Sequence, residues 1–97
     1  MKPARFHPEA LAELDEAVVY YEDCSPGLGV ELRQAVEAAT RRIEESPLRF
    51  YPYDADTRRF RMRRFPYSLI YAELLDHLWV VAFAHHKRRP GYWRGRL

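Results

Sequence analysis

A chain of 97 residues is the size of one domain, and a hydrophobic fraction of 47 % is enough to build a core. With 31 % charged residues, the composition is neither that of a disordered tail nor that of a membrane-embedded chain. The net charge of +2 hides a division, because residues 1–48 carry a net −5 and residues 49–97 a net +7. The longest nearly apolar run, Leu78–Ala84, falls far short of the roughly 20 residues that span a bilayer. No apolar leader with a small-residue cleavage site opens the chain, and the single cysteine, Cys24, has no internal partner for a disulfide. The expectation is one domain over residues 1–97 in a reducing, cytoplasmic compartment, with no membrane contact.

Ala4–His7, bounded by Pro3 and Pro8, reads as a short strand. Pro8 and Glu9 then open a helix, since proline suits the first helical position and acids suit its positive end. Leu11, Leu14, Val18 and Tyr21 form its apolar stripe, and Ser25-Pro26-Gly27 ends it. Glu9, Glu13, Asp15 and Glu16 read as its solvated side. Ser25 is expected to cap a second helix carrying the stripe Leu28, Leu32, Ala35, Val36, Ala39 and Ile43, which stops at Ser46-Pro47. So short a connection makes the two helices an antiparallel hairpin.

From Arg58 onward the apolar period changes to two. Arg59, Arg61 and Arg63 alternate with Phe60 and Met62, which predicts three guanidinium groups on one strand face. Tyr67–Leu74 and Leu78–His86 are the next strands, the last apolar on both faces and hence central. Asp54 and Asp56, beside Tyr51 and Tyr53, read as loop. The fold expected is α+β, an antiparallel sheet of about four strands packed on an N-terminal helical hairpin in the order β-α-α-β-β-β.

Two basic patches with interleaved aromatics lie in the second half: Arg58 to Arg64 around Phe60, and Lys87 to Arg96 around Tyr92 and Trp93. Such a field suits a phosphate-bearing or acidic partner. Binding roles fall on Arg59, Arg61, Arg63, Arg88 and Arg89. The four histidines have no metal-ligand spacing, and no phosphate loop or dinucleotide fingerprint is present, so neither metal nor cofactor is expected. Trp93 and Tyr92 are expected to fold back on the sheet as a lid, or to offer a stacking surface.

Three stretches in this order, LAELDEAVVYYEDCSPGLG (11–29), RRFPYSLIY (63–71) and WVVAFAHHKRRPGYWRGR (79–96), resemble the RelE/ParE superfamily of toxins from bacterial type II toxin–antitoxin systems. The resemblance is closer to the ParE-like side. It implies a small growth-arresting toxin held by a cognate antitoxin in a hetero-oligomer. ParE-like members poison DNA gyrase, whereas RelE-like members cut mRNA on the ribosome. A RelE-like nuclease would place phosphate stabilisation on Arg61, Arg63 and Arg88 and the late tyrosine at Tyr92. Lys2 and Lys87 are the only lysines, so the lysines that several RelE-like nucleases carry on early strands are absent. Arginine is a poor base, which would leave acid–base duty to His85, His86 and Tyr92. Strand alternation lets only one of the two histidines face a groove. The missing base tilts the expectation toward gyrase inhibition over mRNA cleavage. A non-toxic nucleic-acid-binding module using the same arginine face is the third reading.

Overall fold

A computed structural model describes residues 1–97. Strand β1 (Ala4–Phe6) leads into helix α1 (Pro8–Cys24) and helix α2 (Leu28–Glu45), followed by strands β2 (Tyr51–Tyr53), β3 (Thr57–Arg61), β4 (Tyr67–Glu73) and β5 (Leu78–His85). The α+β class and the hairpin of helices are as the periodicity predicts. The sheet, however, is mixed and five-stranded, in the order β1-β5-β4-β3-β2.

Two differences from the expected sheet have plain causes. β1 lies parallel to β5, with Ala4 opposite Leu78 and Phe6 opposite Val80, because the helical hairpin serves as the crossover that parallel pairing requires. β2 is the strand the sequence conceals. Tyr51-Pro52-Tyr53 pairs antiparallel with Thr57–Arg59, and its proline is tolerated because the strand is at the edge of the sheet. The connecting turn, Asp54–Asp56, takes Ala55 and Asp56 into left-handed backbone and is closed by Thr57 Oγ1 donating to the Asp54 carbonyl. The expected loop is thus the turn of a hairpin.

The helical hairpin is set by its junction. His7 Nδ1 accepts from Glu9 N at 3.0 Å, and Pro8 takes the first position of α1. Ser25 does not cap α2 as expected; its amide closes α1 on the Tyr21 carbonyl, and Gly27, with φ of +90°, makes the turn. Glu22 replaces it, reaching across from α1 so that its two carboxylate oxygens accept from Gly27 N and Gly29 N. The helices approach so closely here that a Cβ on Gly29 would stand 2.7 Å from the Val18 carbonyl oxygen.

The buried face of α1 is Ala10, Leu14 and Ala17, with Val18 and Tyr21 packed partly against the core, whereas Leu11 is 45 % exposed. The expected stripe is therefore rotated by one position. On α2 the buried residues are Gly29, Leu32, Val36, Ala39 and Ile43, close to expectation. These pack on Phe60, Leu69, Tyr71, Leu78, Val80 and Phe83 of the sheet and on Met62 just after β3. A smaller cluster on the opposite sheet face joins Ile70, Val81, Ala82 and Trp93.

β5 is apolar on both faces because both are covered, by the helices on one side and by Trp93 on the other, and a bulge interrupts its alternation. Ile70 faces Ala82 while Tyr71 faces Val80, leaving Val81 without a partner and shifting the alternation by one. Leu78 and Val80 point to the helices before the bulge, and Phe83 does so after it. No helix is long and apolar enough to cross a membrane.

Because the Gly29 approach leaves no room for a methyl group, Gly29→Ala should lower stability by about 1–3 kcal/mol. Thermal unfolding followed by circular dichroism measures this, and an unchanged midpoint would contradict the close packing.

Candidate functional site

The sheet face away from the helices is half covered by the C-terminal segment. Trp93 is only 1 % exposed and packs on Ile70, Val81 and Ala82, with the Tyr53 ring 6.2 Å from its own. This is the lid expected from the sequence, with Trp93 as its buried member. Beside it lies a hollow of about 160 Å³ whose lining includes Tyr53, Arg59, Ser68, His85, His86, Arg88, Arg89, Tyr92 and Trp93.

Arg59 and Arg61 reach this face from β3. Arg59 lies over the Tyr53 ring at 4.8 Å, and Arg61 is opposite Ser68 in the ladder. Arg63 does not join them, because β3 ends at Arg61 and Arg63 lies in the turn before Phe65, whose burial at 4 % pulls the chain back toward the helices. Arg59, Arg61, Arg63 and Arg89 make no ion pair with any carboxylate. Arg88 is held differently, stacked 3.8 Å from the Tyr92 ring centre with a distant 3.9 Å approach to Glu13.

The three residues expected to share acid–base duty all border the hollow, but their polar atoms are engaged by different neighbours. β5 ends at His85, one residue earlier than expected, and the next residue departs to the other face. His85 stands edge-on to the Tyr67 ring at 5.0 Å, beside Phe83 and Glu16 in a groove against α1, and its Nδ1 accepts from Lys87 N. His86 faces the hollow, sharing a hydrogen bond of 3.1 Å between its Nε2 and Ser68 Oγ, a residue only 2 % exposed. Partial burial, with help from the Arg61, His85 and Arg59 charges, holds its pKa below the ordinary 6.5. The ring is therefore neutral at pH 7, in a positive field.

The Tyr92 hydroxyl is committed elsewhere, donating to Glu13 Oε2 at 2.7 Å. Burial first, then that hydrogen bond and the Glu13 charge, push its pKa well above the usual value for a tyrosine. A phenol so held is a poor base at neutral pH.

Glu13 is the residue the sequence reading missed. Expected on the wet side of α1, its side chain is only 14 % exposed. Besides Tyr92, it accepts from Arg96 Nη1 at 2.9 Å and Nη2 at 3.1 Å, and from Phe83 N at 3.1 Å. Arg96 also donates to the Val81 carbonyl at 3.0 Å, while its own carbonyl accepts from Trp79 Nε1. Burial works against the Arg96 charge, but the Glu13 hydrogen bonds and carboxylate outweigh it and raise the pKa. Spacing held the clue, for Glu13 lies three residues after Ala10 and four before Ala17, both buried.

Glu13→Ala would strand the Arg96 guanidinium, the Tyr92 hydroxyl and the Phe83 amide, and should cost about 3 kcal/mol, with loss of Trp93 fluorescence burial. Chemical denaturation monitored by tryptophan emission measures it. A second expectation concerns pH. A His86 pKa below 6.5 in the folded chain means that protonation favours the unfolded state, so this residue removes stability as pH falls through about 6.5. His86→Gln should flatten that part of the stability profile, and Arg61→Gln should raise the His86 midpoint in an NMR titration; a midpoint unmoved by Arg61→Gln would remove the positive field from the account.

Comparison with solved structures places the fold beside a chain described as the chromosomal ParDE TA system from P. aeruginosa, with a TM-score of 0.79 and 15 % identity, over 88 % of this chain and 96 % of that one. At that identity the likeness is one of fold. Comparison with curated proteins yields no match. The profile of the ParE toxin of type II toxin-antitoxin systems (parDE) matches residues 4–90, nearly the whole chain, and with the helical hairpin and sheet already in view, the chain belongs to the ParE toxin family.

Proposed function

We propose that this chain is the growth-arresting toxin of a type II pair that acts on DNA gyrase in the cytoplasm and is neutralised by a cognate antitoxin in a hetero-oligomer. The observation that carries this reading over mRNA cleavage is that the polar atoms of the acid–base candidates are engaged by other residues of the chain. RNA cleavage without a metal needs a base and an acid on either side of one phosphate. Here His85, His86 and Tyr92 border one hollow, but His85 Nδ1 accepts from Lys87 N, His86 Nε2 shares a hydrogen bond with Ser68 Oγ, and the Tyr92 hydroxyl is bound to Glu13. What the outer face offers instead is cationic surface, with Arg59, Arg61 and Arg89 unpaired around a neutral imidazole. Such a surface binds a polyanion or an acidic protein segment and holds it, which is what trapping a gyrase–DNA complex demands.

A second reading rests on one observation. His86 and His85 border the hollow together with Arg59, Arg88 and Arg89, so a nuclease using a histidine with guanidinium stabilisation of the phosphate remains chemically coherent. One paired experiment separates the two. Purified chain is added to gyrase with relaxed plasmid, and separately to a translating cell-free system with its message mapped for cuts. The expected result is loss of supercoiling with accumulation of linear or nicked DNA, an intact message, and gyrase inhibition retained by the His85→Ala and Tyr92→Phe variants. Codon-phased cuts abolished by His86→Ala, with gyrase unaffected, would replace this proposal with the nuclease.

A further inference from the structure

Every charged side chain lining the outer-face hollow is a cation, and no carboxylate lines it. Its donors arrive from separate elements: Arg59 from β3, Ser68 from β4, and His86, Arg88 and Arg89 from the turn after β5. Two of the guanidinium planes are steadied without an acid, Arg59 by the Tyr53 ring at 4.8 Å and Arg88 by the Tyr92 ring at 3.8 Å. Stacking holds each plane by its face and leaves the N–H groups at its edge to donate, with less side-chain freedom to lose on binding.

The floor of the hollow is closed, since Ser68 and Ile70 are each 2 % exposed and Trp93 is 1 % exposed. Ser68 supplies a hydroxyl to that floor, 3.1 Å from His86 Nε2. When Nε2 carries the ring proton it donates to Ser68 Oγ, and the hydroxyl proton is free to turn into the hollow. A volume of about 160 Å³ holds one phosphate group with a few waters, each taking about 30 Å³. A blind hollow suits the end of a chain over its middle.

Shape also separates phosphate from carboxylate here. A carboxylate has two oxygens in one plane, and a single guanidinium fork uses both. A phosphate monoester presents three acceptor oxygens in different directions and carries about −1.5 to −2 charge at pH 7. Donors converging from two strands and a turn match the second shape.

We infer that the outer-face hollow binds a terminal phosphate monoester, with Arg59, Arg88 and Arg89 neutralising its charge and the Ser68–His86 pair bonding its innermost oxygen. The phosphorylated end of a nucleic-acid strand and a free nucleotide carry this same group. An internal phosphodiester has one negative charge and a chain continuing on both sides, and it fits the hollow less well. Only the link to DNA held by gyrase rests on the function proposed above; the site itself does not.

The probe is a single-stranded DNA oligonucleotide with a 5′-phosphate and a 3′ fluorophore, followed by anisotropy. Beside it serve two 5′-hydroxyl strands, one of the same sequence and one lengthened to equal charge. The 5′-phosphate strand should bind at least about tenfold tighter than either. Adenosine 5′-monophosphate should displace it and adenosine should not. Whichever of the unlabelled phosphorylated strand and the monophosphate displaces at lower concentration is the better-matched source. Arg59→Gln/Arg89→Gln should bring the preference for the 5′-phosphate to within about twofold. Ala84→Leu, which fills the hollow from β5 without changing charge, should do the same. Arg33→Gln/Arg41→Gln, equal in charge loss but on α2, should keep the preference. Inorganic phosphate at matched ionic strength should shift the NMR signals of the His86 ring and leave those of His77 in place. Circular dichroism melts establish that each variant is folded. Equal affinity for the phosphorylated strand and the hydroxyl strand of equal charge, no displacement by the monophosphate, equal loss in the two double variants, or an undiminished preference in Ala84→Leu would each overturn the inference. Terminal-phosphate binding without gyrase inhibition would overturn the function reading and leave the assignment of the hollow standing.

Discussion

The Glu13 carboxylate is the interaction on which the arrangement of this molecule depends. β1 pairs with β5 only as far as Val80, so the outer edge of β5 beyond the bulge has no strand beside it. Glu13 and Arg96 fill that place. The carboxylate accepts from the Phe83 amide, the guanidinium donates to the Val81 carbonyl, and the two bind one another through both Arg96 terminal nitrogens. A buried pair such as this is stable only when its remaining hydrogen-bonding capacity is used, and no buried side-chain polar atom lacks a partner. The same pair ties α1, the sheet edge and the C-terminal segment into one unit. Trp93 is held on the outer sheet face by a segment whose ends are fastened, at Tyr92 and at Arg96.

Placement of the acids and bases follows from that anchoring. Of the carboxylates concentrated in the first half of the chain, Glu13 and Glu22 are spent on structure, one at the sheet edge and one at the start of α2. Arg59, Arg61 and Arg63 are left without such partners, and Arg64 meets only the exposed Glu31. Their mutual repulsion is tolerable because they are solvated on one side and stacked on aromatic rings on the other, as Arg59 is on Tyr53 and Arg64 on Phe65. Uncompensated positive charge depresses the His86 pKa further than burial alone would. A molecule arranged in this way has its affinity for anionic partners built in before any partner arrives.

Separation of His85 from His86 is decided by the end of β5. A two-residue alternation directs consecutive side chains to opposite faces, which sets the His85 ring against Tyr67 and the His86 ring against Ser68, although both residues border the outer hollow. The alternation was legible in the sequence. Which ring faces the arginines was not, because the bulge at Val81 reverses the alternation and depends on a register set by β4. Tyr92 was open to misreading for a related reason. Its spacing after the strand suggested a side chain near the basic patch, and its ring is there, under Arg88, but its hydroxyl is drawn to a carboxylate 79 positions earlier.

The sequence by itself determined the elements whose signals are local. Both helices follow from proline and glycine punctuation and a 3.6-residue apolar period, the strands at Tyr67–Glu73 and Leu78–His85 from their runs of apolar residues, and the resemblance to the ParE-like toxins from three ordered stretches. Tertiary structure alone decided whatever needs a distant partner. β2 is a strand only because β3 lies beside it, β1 is parallel only because the hairpin of helices returns the chain to the far side of β5, and Arg63 leaves the strand face because Phe65 is drawn into the core. Glu13 is the clearest case. Its spacing from Ala10 and Ala17 only hinted at a buried side, and its burial is favourable only because Arg96, Tyr92 and an unpaired amide of β5 meet it in space. Local periodicity reports which side of an element is apolar; which charges are desolvated depends on groups that only folding brings together.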